Sequence, residues 1–224
     1  MAVIEAPGYN ERVLIVGANG SGKSVFAEQL LTAGYARTVT FDLKREFEPR
    51  FRYDEKVWIL TKPSGLAWKQ AIKRGHIIYR PEPQFRSREA LDAVFEHLYY
   101  RAQQYGKRFP FVIYLDEGLS IAKMGKSPFL ESLIIEGRSM QVGMWFTSQR
   151  PLWIPVEIRS EAWRWYVFYL GYQDDMKEVI KYAHGRLSVE ELDENMPDFG
   201  FWEIRRMPGG RVRIQKYPPV ALEV

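Results

Sequence analysis

Gly17-Ala18-Asn19-Gly20-Ser21-Gly22-Lys23-Ser24 matches the pattern G-x-x-x-x-G-K-[ST], which makes demands on the chain to either side of it. Arg12 to Val16, just before it, is an apolar run that reads as a buried strand. Lys23 to Ala33, just after it, sets Val25, Phe26 and Leu30 on one helical face and closes at Gly34. In a strand–loop–helix unit of this kind the glycines let successive N–H groups turn inward around the α- and β-phosphates of a nucleotide, and the helix N-terminus adds positive potential. The cradle comprises Gly17, Ala18, Asn19, Gly20, Ser21, Gly22, Lys23, Ser24 and Val25. Lys23 is expected to reach the β- and γ-phosphates of ATP, and the Ser24 hydroxyl to ligate Mg²⁺.

A second stretch supplies what such a cradle lacks. Phe111-Val112-Ile113-Tyr114-Leu115-Asp116-Glu117 is a run of large apolar residues ending in two acids, as suits a central parallel strand buried on both faces. It would deliver carboxylates to the edge of the sheet where the phosphate loop opens. Asp116 is then the Mg²⁺ residue, acting through the ion's water shell, and Glu117 orients and deprotonates the attacking water. A catalytic Glu beside the metal carboxylate favours hydrolysis over phosphoryl transfer to a bound acceptor. No Asn-Lys-x-Asp stretch supports guanine specificity.

Between and beyond these motifs, strand and helix signals alternate. Thr38 to Asp42 reads as a strand, Ser64 to Arg74 as a helix and Ile77 to Tyr79 as extended chain. Ser87 reads as the N-cap of a helix in which Leu91, Val94, Phe95, Leu98, Ala102 and Tyr105 repeat at helical spacing and which stops at Gly106. Pro128 to Arg138 reads as a helix leading into the strand Val142 to Ser148. Trp165 to Leu170 reads as a strand, Asp174 to Tyr182 as a helix, and Phe201 to Ile214 as a hairpin turning on Pro208, Gly209 and Gly210. This alternation argues for a parallel sheet covered on both sides.

Composition narrows the function. The 224 residues include no cysteine, which excludes disulfides, zinc-thiolate centres and thiol catalysis and fits a cytoplasmic protein. The most apolar stretches are strand-length, so no membrane span is expected. The net charge is +4, and Arg205, Arg206, Arg211, Arg213 and Lys216 against Glu203 alone make a local excess equal to that of the whole chain. Such a patch suits a polyanionic partner.

Glu136-Gly137-Arg138-Ser139-Met140-Gln141-Val142-Gly143-Met144-Trp145-Phe146-Thr147-Ser148-Gln149-Arg150-Pro151 resembles the segment after the catalytic acids of the FtsK/HerA superfamily, where a glycine-arginine turn enters an apolar strand ending in Thr/Ser-Gln-Arg-Pro. With the two motifs above, the resemblance spans Arg12 to Ala162. Among the members, it is similar to the compact genome-packaging ATPases of viruses with internal membranes and double jelly-roll capsids. The resemblance implies a RecA-like, additional-strand P-loop NTPase of α/β class, with a mostly parallel central sheet, helices on both faces and a small C-terminal β-hairpin. It implies a single domain over residues 1–224, with a core over about residues 11–170 and C-terminal helices and hairpin over about 171–217.

Carried over residue by residue, Gln149 matches the family's sensor of the γ-phosphate or lytic water. Arg138 matches a position that supplies a trans-acting arginine to the next subunit's nucleotide, with Arg150 and Arg159 as competitors. The implied activity is ATP-driven translocation of double-stranded DNA by a homo-oligomeric ring, a pentamer or hexamer, packaging a viral genome into a preformed capsid with capsid vertex proteins as partners. A plasmid or conjugative DNA pump and a phage-assembly ATPase are alternatives within the fold. A nucleotide-switched assembly module is the alternative of a different class. Pore-lining basic residues are the expected DNA contacts. The candidates are Lys123 and Lys126 in the loop after Glu117, and the hairpin residues Arg205, Arg206, Arg211 and Arg213.

Overall fold

The computed structural model describes residues 4–47, 57–64, 66–117, 127–193 and 199–219. The strands are β1 (Arg12–Val16), β2 (Thr38–Phe41), β3 (Val57–Leu60), β4 (His76–Tyr79), β5 (Phe111–Leu115), β6 (Val142–Ser148), β7 (Arg164–Val167), β8 (Phe201–Arg206) and β9 (Val212–Tyr217). The helices are α1 (Lys23–Gly34), α2 (Leu66–Arg74), α3 (Arg88–Tyr105), α4 (Pro128–Glu136), α5 (Val156–Glu161), α6 (Gln173–Tyr182) and α7 (Val189–Asp193).

Among the described residues the strands form one sheet in the order β3-β4-β2-β5-β6-β1-β7-β8-β9. Neighbours are parallel from β3 to β7, and β8 and β9 are antiparallel. Because β6 lies between β1 and β5, the phosphate loop and the acid-bearing strand are separated by one additional strand, in the arrangement the family resemblance implies. The carboxyl ends of β1, β2, β5, β6 and β7 share one edge, and the loops that follow them meet there.

Strand periodicity divides the core. Leu14, Val16, Phe41, Ile113, Leu115, Met144, Phe146, Trp165 and Val167 face one side, where α3, α4, α5 and α6 pack through residues such as Phe95, Leu133, Ile158 and Val179. Val13, Ile15, Val112, Tyr114, Trp145 and Tyr166 face the other, against Phe26, Ala27, Leu30 and Leu31 of α1. Both faces are covered, though α1 alone supplies the helical cover of the second among the described residues. Trp145 and Trp165 are fully buried, whereas Trp153 is exposed.

Two buried arginines tie the layers together. Arg12 on β1 donates to the carbonyls of Leu133 (2.9 Å) and Ile134 (2.6 and 2.8 Å) in the last turn of α4, where unpaired carbonyls and the helix dipole favour a cation. Arg164 on β7 bonds Glu11 (3.0 Å), Glu203 (2.9 Å) and the Glu5 carbonyl (2.7 Å), joining the N-terminal lead-in to β7 and β8.

The structure corrects two sequence readings and extends a third. The strand expected over Trp165 to Leu170 ends at Val167, because the Tyr169 carbonyl is taken up by the phosphate loop and accepts from Ala18 N at 2.7 Å. The expected C-terminal hairpin is present, and β8 also pairs with β7, so it extends the main sheet. Val57–Leu60 forms a strand where none was expected.

Candidate active site

The phosphate loop is held from behind by the end of β6 and by the segment that follows β7. Gly17 N donates to the Ser148 carbonyl at 3.2 Å and Ala18 N to that of Tyr169. A side chain at Gly17 is precluded, because an added Cβ would stand 2.7 Å from Phe168 Cβ and 3.1 Å from the Tyr169 carbonyl. Gly22 has φ 95°, a left-handed conformation costly for other residues, and serves as the N-cap of α1. The first turn of α1 opens with Phe26 N donating to the Gly22 carbonyl at 2.9 Å, which leaves the preceding amides without an intrahelical acceptor. Ser21 Oγ is buried with no hydrogen-bond partner among the described residues.

Opposite the loop, β5 and β6 present their ends together. Asp116 Oδ1 accepts from Thr147 Oγ1 at 2.9 Å and from the Tyr114 hydroxyl at 3.0 Å, so the carboxylate is fixed by the strand beside it and by its own strand. Glu117 takes φ 51°, and its N–H donates to Thr147 Oγ1 at 3.0 Å. Glu117 Oε1 accepts from Gln149 Nε2 at 3.2 Å and is ion-paired with Lys44. Lys44 itself sits on a turn shaped by the buried Asp42, which accepts from Glu46 N, Phe47 N and Arg80 Nε at 3.0, 3.2 and 2.7 Å.

A cavity of about 390 Å³ joins these groups, lined by Asn19, Gly20, Gly22, Lys23, Ser24 and Val25 on one side and by Lys44, Glu46, Asp116, Glu117, Thr147, Ser148 and Gln149 on the other, with Phe199 at Gly22. Of the sequence-derived site residues, Gly17, Ala18 and Ser21 do not line the cavity, the first two anchoring the loop from behind, and Arg138 lies elsewhere. The rest of the cradle converges with Asp116, Glu117 and Gln149. Sequence reasoning missed Thr147, Lys44 and Phe199. Thr147 had a signal in the Thr-Ser-Gln-Arg-Pro run, whereas Lys44 and Phe199 carry none.

Burial lowers the Lys23 pKa to about 8, against the opposing pull of Asp116 and Glu117. Burial raises Asp116, with hydrogen bonds from Thr147 and Tyr114 acting the other way. Both groups are thus held in an environment that penalises their charges, and a triphosphate–metal unit bound between them would relieve both penalties. The consequence for pH can be measured. Phosphate raises the lysine pKa, so above pH 8 binding must take up a proton. The apparent affinity for a non-hydrolysable ATP analogue is therefore expected to fall as pH rises from about 8 to 9.5, by at most about tenfold per unit. Lys23→Arg, which stays charged, should remove that slope in equilibrium titration, and a flat profile for the unaltered chain would contradict this electrostatic picture.

The donor set fits Mg²⁺. The ion prefers octahedral oxygen ligation, usually one or two carboxylates with phosphates and water in place of an all-protein cage. Here Asp116 and the exposed Ser24 hydroxyl face the same cavity, and no cluster of three or more acidic, histidine or cysteine ligands occurs among the described residues.

Other sequence-derived candidates lie away from this edge. Arg138 precedes β6, at the opposite end of the strand from Gln149, and stacks over Trp163 with Cζ 4.3 Å from the ring centroid. Arg150 pairs with Asp175 at 2.8 Å, and Arg159 is ion-paired with Glu178. Arg205 pairs with Glu5 at 2.8 Å and Arg206 donates to the Ser160 carbonyl at 2.7 Å. Arg213 bonds Gln215 at 3.0 Å, and Arg211 is exposed. Lys123 and Lys126 lie outside the described residues. No helix among the described residues is long and apolar enough to cross a membrane.

No protein-family model matches the sequence. The DNA packaging ATPase P9 of Enterobacteria phage PRD1 is 28% identical over 189 residues, covering 79% of this chain and 71% of that protein. Protein P9 of Pseudoalteromonas phage PM2 is 29% identical over 144 residues, covering 63% of this chain and 61% of that one. Among solved structures, the genome packaging NTPase B204 from Sulfolobus turreted icosahedral virus 2, in complex with AMPPCP, superposes with a TM-score of 0.71 at 16% identity, over 96% of this chain and all of that one. The chain thus has the P-loop ATPase fold and resembles the viral genome-packaging ATPases.

Proposed function

We propose that this chain is a Mg²⁺-dependent ATPase that drives double-stranded DNA, packaging a viral genome into a preformed capsid in the host cytoplasm. The observation that carries the reading is the convergence of Lys23, Ser24, Asp116, Glu117 and Gln149 on one cavity from three neighbouring strands. Lys23 and the loop amides bind the triphosphate. Ser24 and Asp116 hold the metal, which when bound neutralises phosphate charge. Glu117 takes the proton of the attacking water, and Gln149, bonded to Glu117, orients that water and senses phosphate release. The names of the PRD1 and B204 relatives support packaging as the task.

A homo-oligomeric ring of five or six subunits fits the need for an arginine that the cavity does not contain among the described residues. Arg138 is our candidate, since the competitors Arg150 and Arg159 are engaged by carboxylates, whereas Arg138 has only a ring contact among the described residues. Arg211 and Arg213 are the hairpin residues best disposed to meet DNA phosphates, because both are exposed, whereas Arg205 and Arg206 are half-buried and held by Glu5 and the Ser160 carbonyl. Phosphate release by the purified protein is the test. Duplex DNA is expected to stimulate turnover, and Arg138→Ala mixed with Lys23→Ala is expected to recover part of the activity that each lacks alone. Turnover indifferent to duplex DNA would remove the motor and leave the ATPase. Failure of the mixture to recover would remove the shared site.

A further inference from the structure

The polar character of the cavity raises a question that phosphate chemistry does not answer, namely where the nucleobase goes. Of the described residues that line it, only Val25 and Phe199 offer an apolar side chain. Phe199 is 58% exposed, an unusual state for a phenylalanine. It adopts φ 67°, in the left-handed region where a bulky side chain is an outlier that surrounding structure must enforce. Its ring lies against the phosphate loop, since a Cβ added to Gly22 would stand 2.9 Å from Phe199 Cδ1 and 3.5 Å from its Cβ. The absence of a side chain at Gly22 is therefore what allows the ring to sit there. Among the described residues the ring makes no aromatic contact, which leaves a face for a ligand.

We infer that Phe199 is the nucleobase platform of this site, a flat apolar surface beside the phosphate cradle that stacks on the base of the bound triphosphate. The inference rests on the nucleotide reading above and deepens it. Stacking on a ring discriminates weakly, because every base has a π-face. The site should accept purine nucleotides with little preference for adenine over guanine, with specificity residing in the triphosphate.

The test compares three probes by calorimetry with Mg²⁺ present: AMPPCP, GMPPCP and inorganic tripolyphosphate, which has no base. Phe199→Ala is expected to weaken both nucleotide analogues by about tenfold to a hundredfold while changing tripolyphosphate affinity by less than about twofold, and Phe199→Trp should restore nucleotide binding. Equal loss for tripolyphosphate would show that the ring merely shapes the loop, and unchanged nucleotide affinity would show that it touches nothing. Either result overturns the inference while leaving the nucleotide reading intact. If the unaltered chain bound none of the three probes, the nucleotide reading itself would fall, and the platform with it.

Discussion

Replacing Glu117 by Gln is expected to lower the rate of ATP hydrolysis by about a hundredfold to ten-thousandfold, the usual worth of a positioned general base, while leaving nucleotide binding nearly unchanged. The substitution keeps the size and most hydrogen-bonding capacity of the side chain and removes its charge. Gln149 and Lys44 both converge on Oε1, so the carboxylate is positioned before any water arrives. The groups proposed to bind phosphate, Lys23 and the loop amides, are untouched. Single-turnover phosphate release with a parallel binding titration separates the two effects. If binding fell along with the rate, Glu117 would be part of the ground-state site rather than the base. The ion pair from Lys44 adds a detail. Its bond to Glu117 raises the lysine pKa above the ordinary value, and that effect should vanish in the Gln variant.

Arg164→Ala is expected to cost about 3–5 kcal/mol of folding stability, because it strands carboxylates in places that water reaches poorly. Arg164 is fully buried, with both Glu11 and Glu203 as partners and the Glu5 carbonyl as a third acceptor. Glu203 is also bonded by the Tyr217 hydroxyl at 3.2 Å, so the network spans the lead-in, β7, β8 and β9. Urea unfolding should show a lower midpoint at an unchanged slope, and adding Glu203→Gln should recover part of the loss. A cost below about 1 kcal/mol would mean that the pair behaves like a surface ion pair.

The order of the large elements was legible because several local signals agreed. β1, β5 and β6 were read to the residue, each being an apolar run closed by a polar motif. For α3, the Ser87 cap is seen directly, with Ala90 N donating to its hydroxyl at 3.3 Å. Where a signal came from elsewhere in the chain, local reading failed. β3 is a short strand at the edge of the sheet with Trp58 and Ile59 not fully buried, so its pattern has no clear apolar face. β7 was read too long because Phe168, Tyr169 and Leu170 look like strand residues, whereas the phosphate loop claims the Tyr169 carbonyl. Nothing in Trp163-Arg164-Trp165 marks Arg164 as buried, since its partners stand 153 and 39 positions away.

By itself the sequence determined the patterns that require contiguous residues: the glycine-rich run from Gly17 to Ser24 between a strand and a helix, the paired acids at the end of an apolar strand, and the Gln149 that follows another. Those patterns survive in one dimension because a loop wrapping phosphate, or a strand delivering a carboxylate, is specified by residues next to each other. Only the tertiary structure decided which strand separates the two motifs, that the C-terminal hairpin continues the sheet, that Lys44 pairs with Glu117, and that Phe199 reaches Gly22. Each of these depends on segments far apart in the chain meeting at one sheet edge, and strand order across a sheet leaves no local trace in the residues it brings together.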